Sequence, residues 1–131
     1  MGDRGNIVVD DGGKRVFLYS HWSGGDLPQV LSKALGRKQR WSDGQYLARI
    51  IFCEMLAGSS EGLEGETGFG ISAEVGDNEY PYLVVDCGAG KVRIEDADSY
   101  KFKGKRREFS FADFVKAGAK GWEGLGGKVF E

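Results

Sequence analysis

The sequence predicts an α+β fold of two layers, with helices laid over one face of a sheet. Two observations carry that expectation. Apolar residues recur at helical spacing between residues 26 and 57, and at a period of two before and after that stretch. Glycine- and aspartate-rich turns punctuate the chain where the period changes. The order reads as an N-terminal β-hairpin, two helices, antiparallel strands and a short C-terminal helix, which pack best in two layers. A chain of 131 residues, 40% of them hydrophobic, can bury one real core, and no linker divides it into more than a single domain.

Residues 6–10 read as a strand, Asp11-Gly12-Gly13 as a turn, and residues 15–22 as the hairpin partner. Asp26 then reads as a helix cap, with Gln29 completing a capping box and Pro28 in the first turn. Leu27, Val30, Leu31, Ala34 and Leu35 fall on one helical face, and Gly36 ends the helix. Ser42 opens a second helix, again with Gln45 at the capping-box position. Residues 46–57 are apolar nearly all round, as a central buried helix should be, and Gly58 stops them. Residues 59–68 read as a loop.

From Phe69 the period changes: Phe69, Ile71, Ala73 and Val75 alternate with small or polar residues, as in a half-buried strand. Gly76-Asp77-Asn78 turns the chain into a strand over 80–87, whose Leu83-Val84-Val85 run suits a central position. Gly88-Ala89-Gly90 turns it into another over 92–95. Tyr100, Phe102 and the Glu108-Phe109 region either add a strand or form an arm. Ser110 with Asp113 starts a short helix carrying Phe111, Phe114 and Val115, and residues 117–131 read as a glycine-rich, loosely ordered tail.

Charge narrows the function classes. The formal net charge is -2, which does not suit a protein that coats nucleic acid or anionic membrane over its whole surface. Positive charge clusters at Arg37-Lys38-Gln39-Arg40 and over 101–107, most simply as solvated loops. Cys53 and Cys87 sit within apolar segments, so buried free thiols in a reducing, cytoplasmic setting are expected. No signal peptide and no membrane-spanning run is read. One histidine and two separated cysteines offer no zinc-ligand spacing, no phosphate loop or dinucleotide fingerprint occurs, and no metal or cofactor is expected.

The richest stretch is 16–28, where a strand ends in His21 and Trp22 and two glycines lead into a helix. His21 can act as a base, hold a ligand, or bond a loop carbonyl; Trp22 can stack a nucleobase or close the core. Ser23, Gly24 and Gly25 would offer backbone amides to an anion, although Asp26 as a cap competes for them. Arg49 and Glu54 lie about 140° apart on their helix, so each needs its own partner or an open cavity. Arg4, His21, Trp22 and Arg49 are therefore the expected pocket, with Ser23 and Gly24 at the helix start and Tyr19, Tyr46 and Phe69 as lining. Asp10, Asp11, Glu95, Asp96 and Asp98 read as turn acids. Neither cysteine has a glycine elbow before it, so a thiol–His21 enzyme has little behind it, and no catalytic residue is assigned.

The order of elements is similar to that of the N-terminal-nucleophile hydrolases, but Gly2 has no side chain with which to attack. Gly2-Asp3-Arg4, Tyr19-Ser20-His21-Trp22-Ser23-Gly24 and Leu27-Pro28 together resemble a family of small bacterial and phage proteins. That family pairs a Gly-Asp-Arg or Gly-Thr-Arg start with a His-Trp-x-Gly turn. Residues 46–51, 66–72 and 82–87 share the likeness, which fades after Ile94; at Gly5 relatives are expected to carry alanine. The phage-like context implies a small protein that counters host defence in the host cytoplasm. The leading expectation is non-catalytic binding and sequestration of an anionic nucleotide signal, by a homo-oligomer. The alternatives are a protein-binding inhibitor of a host defence effector, and a small hydrolase using His21.

Overall fold

The computed structural model describes residues 3–57, 68–75 and 77–126. Strands β1 (Gly5–Asp11) and β2 (Lys14–Ser20) form the expected hairpin, paired antiparallel from Gly5↔Ser20 to Asp11↔Lys14. Gly12 and Gly13 take φ of 65° and 89°, the left-handed backbone that a two-residue hairpin turn needs. A 3-10 turn at Gly24–Asp26 leads into α1 (Leu27–Leu35), and α2 (Gly44–Ala57) follows. Next come β3 (Phe69–Ser72), β4 (Tyr82–Asp86), β5 (Lys91–Glu95) and β6 (Glu108–Ser110), then α3 (Phe111–Gly118) and α4 (Gly121–Gly126). Among these described helices none is long and apolar enough to cross a membrane.

The strands make one six-stranded sheet in the order β3-β2-β1-β4-β5-β6. The architecture is α+β as expected, but the sheet is mixed: β1 and β4 run parallel, and every other neighbouring pair is antiparallel. β3 does not hairpin with the strand after it; it lies at the edge beside β2, and β4 inserts beside β1. A parallel pair needs a long crossover, which α1 and α2 supply. The Leu83-Val84-Val85 run, buried on both faces, suits the interior position it takes. At the edge, Ile71 is 60% exposed and Val75 45%, so the alternation there marks a strand without its buried half.

Residues alternate across the sheet with a period of two. Ile7, Val9, Leu18, Leu83, Val85, Val92 and Ile94 point to the helices and join Leu31, Ile51, Phe114 and Trp122 in one hydrophobic cluster. Two caps differ from expectation. Asp26 ends the 3-10 turn in helical backbone and makes no side-chain cap bond; α2 is capped from Asp43, whose Oδ1 receives the Tyr46 amide at 3.5 Å. Ser110 caps α3 as read, accepting the Asp113 amide at 3.1 Å. The segment expected to be a loose tail is ordered through 126: Trp122 stacks on Tyr80 at 5.6 Å and donates to the Gly24 carbonyl at 3.2 Å. Gly58, the loop at 59–67, Gly76 and the last residues, 127–131, lie outside the described residues.

Candidate functional site

Tyr19 and His21 are two residues apart at the end of β2, so both belong to the sheet face that no described helix covers. The Tyr19 hydroxyl and His21 Nδ1 share a hydrogen bond of 2.8 Å, and the His21 amide donates to the Gly68 carbonyl at 2.8 Å. Trp22 meets the His21 ring edge-on at 4.7 Å. The tryptophan lies so close to Gly68 that a Cβ there would come within 2.4 Å of its ring. Trp22 is nevertheless 52% exposed. It is an aromatic surface with a fixed mounting.

The helix-start amides are not free. Ser23 N–H donates to Ser20 Oγ at 3.0 Å, Gly24 N–H to the Asp3 carbonyl at 2.6 Å, and Gly25 N–H to Asp3 Oδ2 at 3.0 Å. Asp3 thus fills the place expected for an anion, and the Tyr80 hydroxyl donates to its other oxygen. Burial and the carboxylates of Asp3, Glu79 and Asp26 push the Tyr80 hydroxyl well above its ordinary range. Arg4 is also committed. Its backbone N–H reaches Glu79 Oε1 at 2.9 Å, its Nε the same oxygen at 3.1 Å, and its Nη1 meets Asp77 at 3.3 Å. Those bonds, the backbone one foremost, hold the Glu79 carboxyl below the usual range.

The sheet divides the candidate residues. Arg4, Tyr19 and His21 share the helix-free face. Ser23, Gly24 and Phe69 border the helix side, where Ser20, Ser23, Leu27, Met55 and Phe69 enclose a cavity of only about 60 Å³. That is room for about two waters. Phe69 meets Phe52 of α2 edge-on at 6.5 Å. Tyr46 lies near the N-terminus of α2, which packs against Asp11 at the far end of the hairpin, and Arg40 covers its ring at 4.4 Å. Arg49 is exposed on the same helix and reaches Cys53 Sγ at 3.8 Å. Neither Tyr46 nor Arg49 completes a pocket with His21, because the sheet stands between them.

The charge pair singled out on α2 resolves asymmetrically. Glu54 is buried and receives Arg37 at 2.8 Å, with Lys33 at 3.9 Å, so part of the first basic cluster is structural. Arg49 needs no partner because solvent reaches it. In the second cluster Arg106 pairs with Asp113 at 2.7 Å and Arg107 with Asp96 at 3.0 Å. Cys87 is buried, and burial first and the nearby carboxylates second push its thiol up to about 11; Cys53, expected buried, is exposed. Both thiols belong to the helix side, away from His21. No group of metal-ligating side chains occurs among the described residues.

One constellation was missed because its acids read as turn residues. On the helix-free face Arg15 donates to Asp10 Oδ2 at 3.0 Å and to both oxygens of Glu95, at 3.2 and 3.1 Å. Arg93 bonds Asp86, and its guanidinium holds that carboxyl below the usual range. β2 and β5 flank β1 and β4, so the Arg15–Glu95 bridge crosses both inner strands over Val8 and Val84. Both valines are 0% exposed although no described helix covers them. The signal that could have found this lattice is period two: it places Asp10, Arg15, Asp86, Arg93 and Glu95 on one face. Comparison with family models, curated proteins and solved structures gives no match.

Proposed function

We propose that the protein works by binding without catalysis, and that a macromolecular partner docks on the helix-free face at the end carrying Tyr19, His21 and Trp22. The observation that carries this reading is Trp22: half its surface is exposed, yet His21 and Gly68 fix it in place. Rigid, half-exposed aromatics are the usual anchors of protein interfaces. Charge favours a protein over the nucleotide that the sequence suggests. Among the described residues, Asp3, Asp26, Asp77 and Glu79 stand around this corner against Arg4, four negative charges to one positive, and the helix-start amides are already bonded. A polyphosphate would meet repulsion, and the amides of Ser23, Gly24 and Gly25 are not free to bind it. A hydrolase reading finds little support among the described residues: His21 Nδ1 is bonded to the Tyr19 hydroxyl, and both thiols lie on the other side of the sheet. With the resemblance to small phage proteins, the reading becomes an inhibitor that blocks a host defence effector.

The test compares Trp22→Ala with Tyr46→Ala, an exposed aromatic on the other side of the sheet, as baits in host extract. A stoichiometric partner retained by wild type and Tyr46→Ala and lost from Trp22→Ala supports the reading. Calorimetry with linear and cyclic nucleotides should give no binding heat. Tight binding with the nucleotide recovered intact overturns the reading in favour of sequestration, and an altered nucleotide overturns it in favour of hydrolysis. Light scattering on the same samples reads the oligomeric state.

A further inference from the structure

β3 and β6 are the two edges of the sheet, and they are finished differently. At β6 the chain guards its own edge. Arg106 lies over the Phe109 ring at 4.4 Å, donates from Nε to the Glu108 carbonyl at 2.9 Å and is anchored on Asp113. Ser110 is taken up as the cap of α3. Charge on an edge strand is a usual guard against further pairing. β3, Phe69–Ser72, carries no charge and no proline.

Pairing parity shows which groups of β3 point outward. The His21 amide donates to the Gly68 carbonyl at 2.8 Å, and that pair continues the register of Phe17↔Ser72 to Ser20↔Phe69. Hydrogen-bonded pairs alternate along antiparallel neighbours. Gly68, Gly70 and Ser72 therefore turn their peptide groups to β2, and Phe69 and Ile71 turn theirs outward. Among the described residues no hydrogen bond reaches those outward groups. Side chains leave room beside them. On the helix side Ile71 is 60% exposed, and Phe69 is half-buried against Phe52. On the helix-free side a Cβ built on Gly70 meets nothing within 4 Å, while one on Gly68 meets the Trp22 ring. The open edge is thus continuous with the Trp22 corner.

We infer that the partner protein adds an extended segment to the sheet along β3, through main-chain bonds to Phe69 and Ile71. The inference rests on the binding reading above and names the form of what binds. Residues of the segment opposite Phe69 and Ile71 fall on the helix side, where apolar side chains cover Ile71. The residue between them, opposite Gly70, falls on the face of Trp22, where a bulky side chain finds open space. A second copy of this chain is the weaker occupant: β3 against β3 joins four residues a side, where a stable interface takes about 20–30. A partner segment that also reaches Trp22 gains the anchor that the strand alone lacks.

The probe is the peptide acetyl-Lys-Val-Tyr-Val-Lys-amide, titrated into ¹⁵N-labelled protein beside the same peptide N-methylated at both valines. In the free protein the amides of Phe69 and Ile71 should exchange with deuterium roughly tenfold faster than those of Gly70 and Ser72. The peptide should shift the Phe69 and Ile71 amides and the Trp22 indole N–H, with a dissociation constant on the order of 1 mM. Its N-methylated form, with the same side chains and no donors toward β3, should not. Ile71→Pro removes an outward N–H, leaves the β2–β3 bonds in place and should abolish the response. The peptide pair decides the matter even where that variant fails to fold. Exchange protection of Phe69 and Ile71 in the free protein, equal shifts from both peptides, or a silent edge at about 10 mM peptide each overturn the inference. A mass that rises with concentration in light scattering, and stays monomeric in Ile71→Pro, overturns it in favour of self-pairing. Capture from host extract that Ile71→Pro keeps and Trp22→Ala loses overturns this inference alone. Equal capture by wild type and Trp22→Ala overturns the reading beneath it.

Discussion

The two faces of the sheet are closed by different physics. On one, apolar side chains meet the helices and water is excluded by packing. On the other, Val8 and Val84 are just as buried, but beside Phe17 and Arg93 that face carries a bridge of Arg15 and Glu95 drawn across two strands. Dispersion and apolar burial do not depend on salt; a half-exposed ion pair does. The packed face therefore sets the stability, while the charged face can remain open to partners at its end without endangering the fold. Four substitutions sharpen or break that contrast.

The largest effect belongs to Trp122→Ala. Trp122 is 8% exposed in the core cluster, stacked on Tyr80 and bonded to the Gly24 carbonyl. Its loss should cost about 3–5 kcal/mol, the range for truncating a large buried aromatic. Urea unfolding monitored by circular dichroism measures it. A cost below about 1 kcal/mol, the typical effect of an ordinary point mutation, would mean that the glycine-rich segment from 117 is as loose as its composition suggests. The sequence misled here because glycine count speaks for backbone freedom and says nothing of a single tryptophan that docks. The hairpin, both central helices, the Ser110 cap and the central place of Leu83-Val84-Val85 were legible, since period and turn chemistry act locally. The parallel pairing of β4 with β1 was not, because register between distant strands is decided by crossover and packing.

Arg15→Met comes next and addresses the charged face. The methionine keeps an apolar stem on that face but leaves Asp10 without its guanidinium and Glu95 with only Arg93, at 4.0 Å. Arg15 is about one-third exposed in its pairs, 33%, so screening reduces the loss to about 1–2 kcal/mol. The same unfolding curves in rising salt give the distinctive readout. Wild type should lose part of its advantage over Arg15→Met as ions screen the lattice, whereas its difference from Trp122→Ala should stay constant. If the two differences respond alike to salt, the faces are not held by different forces. The candidate site suffered from the same blind spot as this lattice. Arg49 and His21 are both conspicuous in the sequence, yet a helix residue and a strand-end residue can stand on opposite sides of one sheet.

The smallest change in stability belongs to Trp22→Ala, and the smallness is the point. Trp22 touches the His21 ring and the Gly68 backbone, and half of it faces water. Removing it deprives the core of nothing, so the unfolding midpoint should move by no more than about 0.5 kcal/mol, the range for surface positions. Gly68→Ala separates the ring from its mounting. A Cβ at 2.4 Å must push the indole aside, and an exposed ring can yield, so this variant too should fold with near wild-type stability. If the fixed orientation of Trp22 is what a partner recognises, Gly68→Ala should weaken capture nearly as much as Trp22→Ala, with both proteins fully folded. Unimpaired capture by Gly68→Ala would reduce the corner to an exposed hydrophobic ring. A large loss of stability in Trp22→Ala would return the corner to architecture, a second closure of the fold in place of a surface held ready.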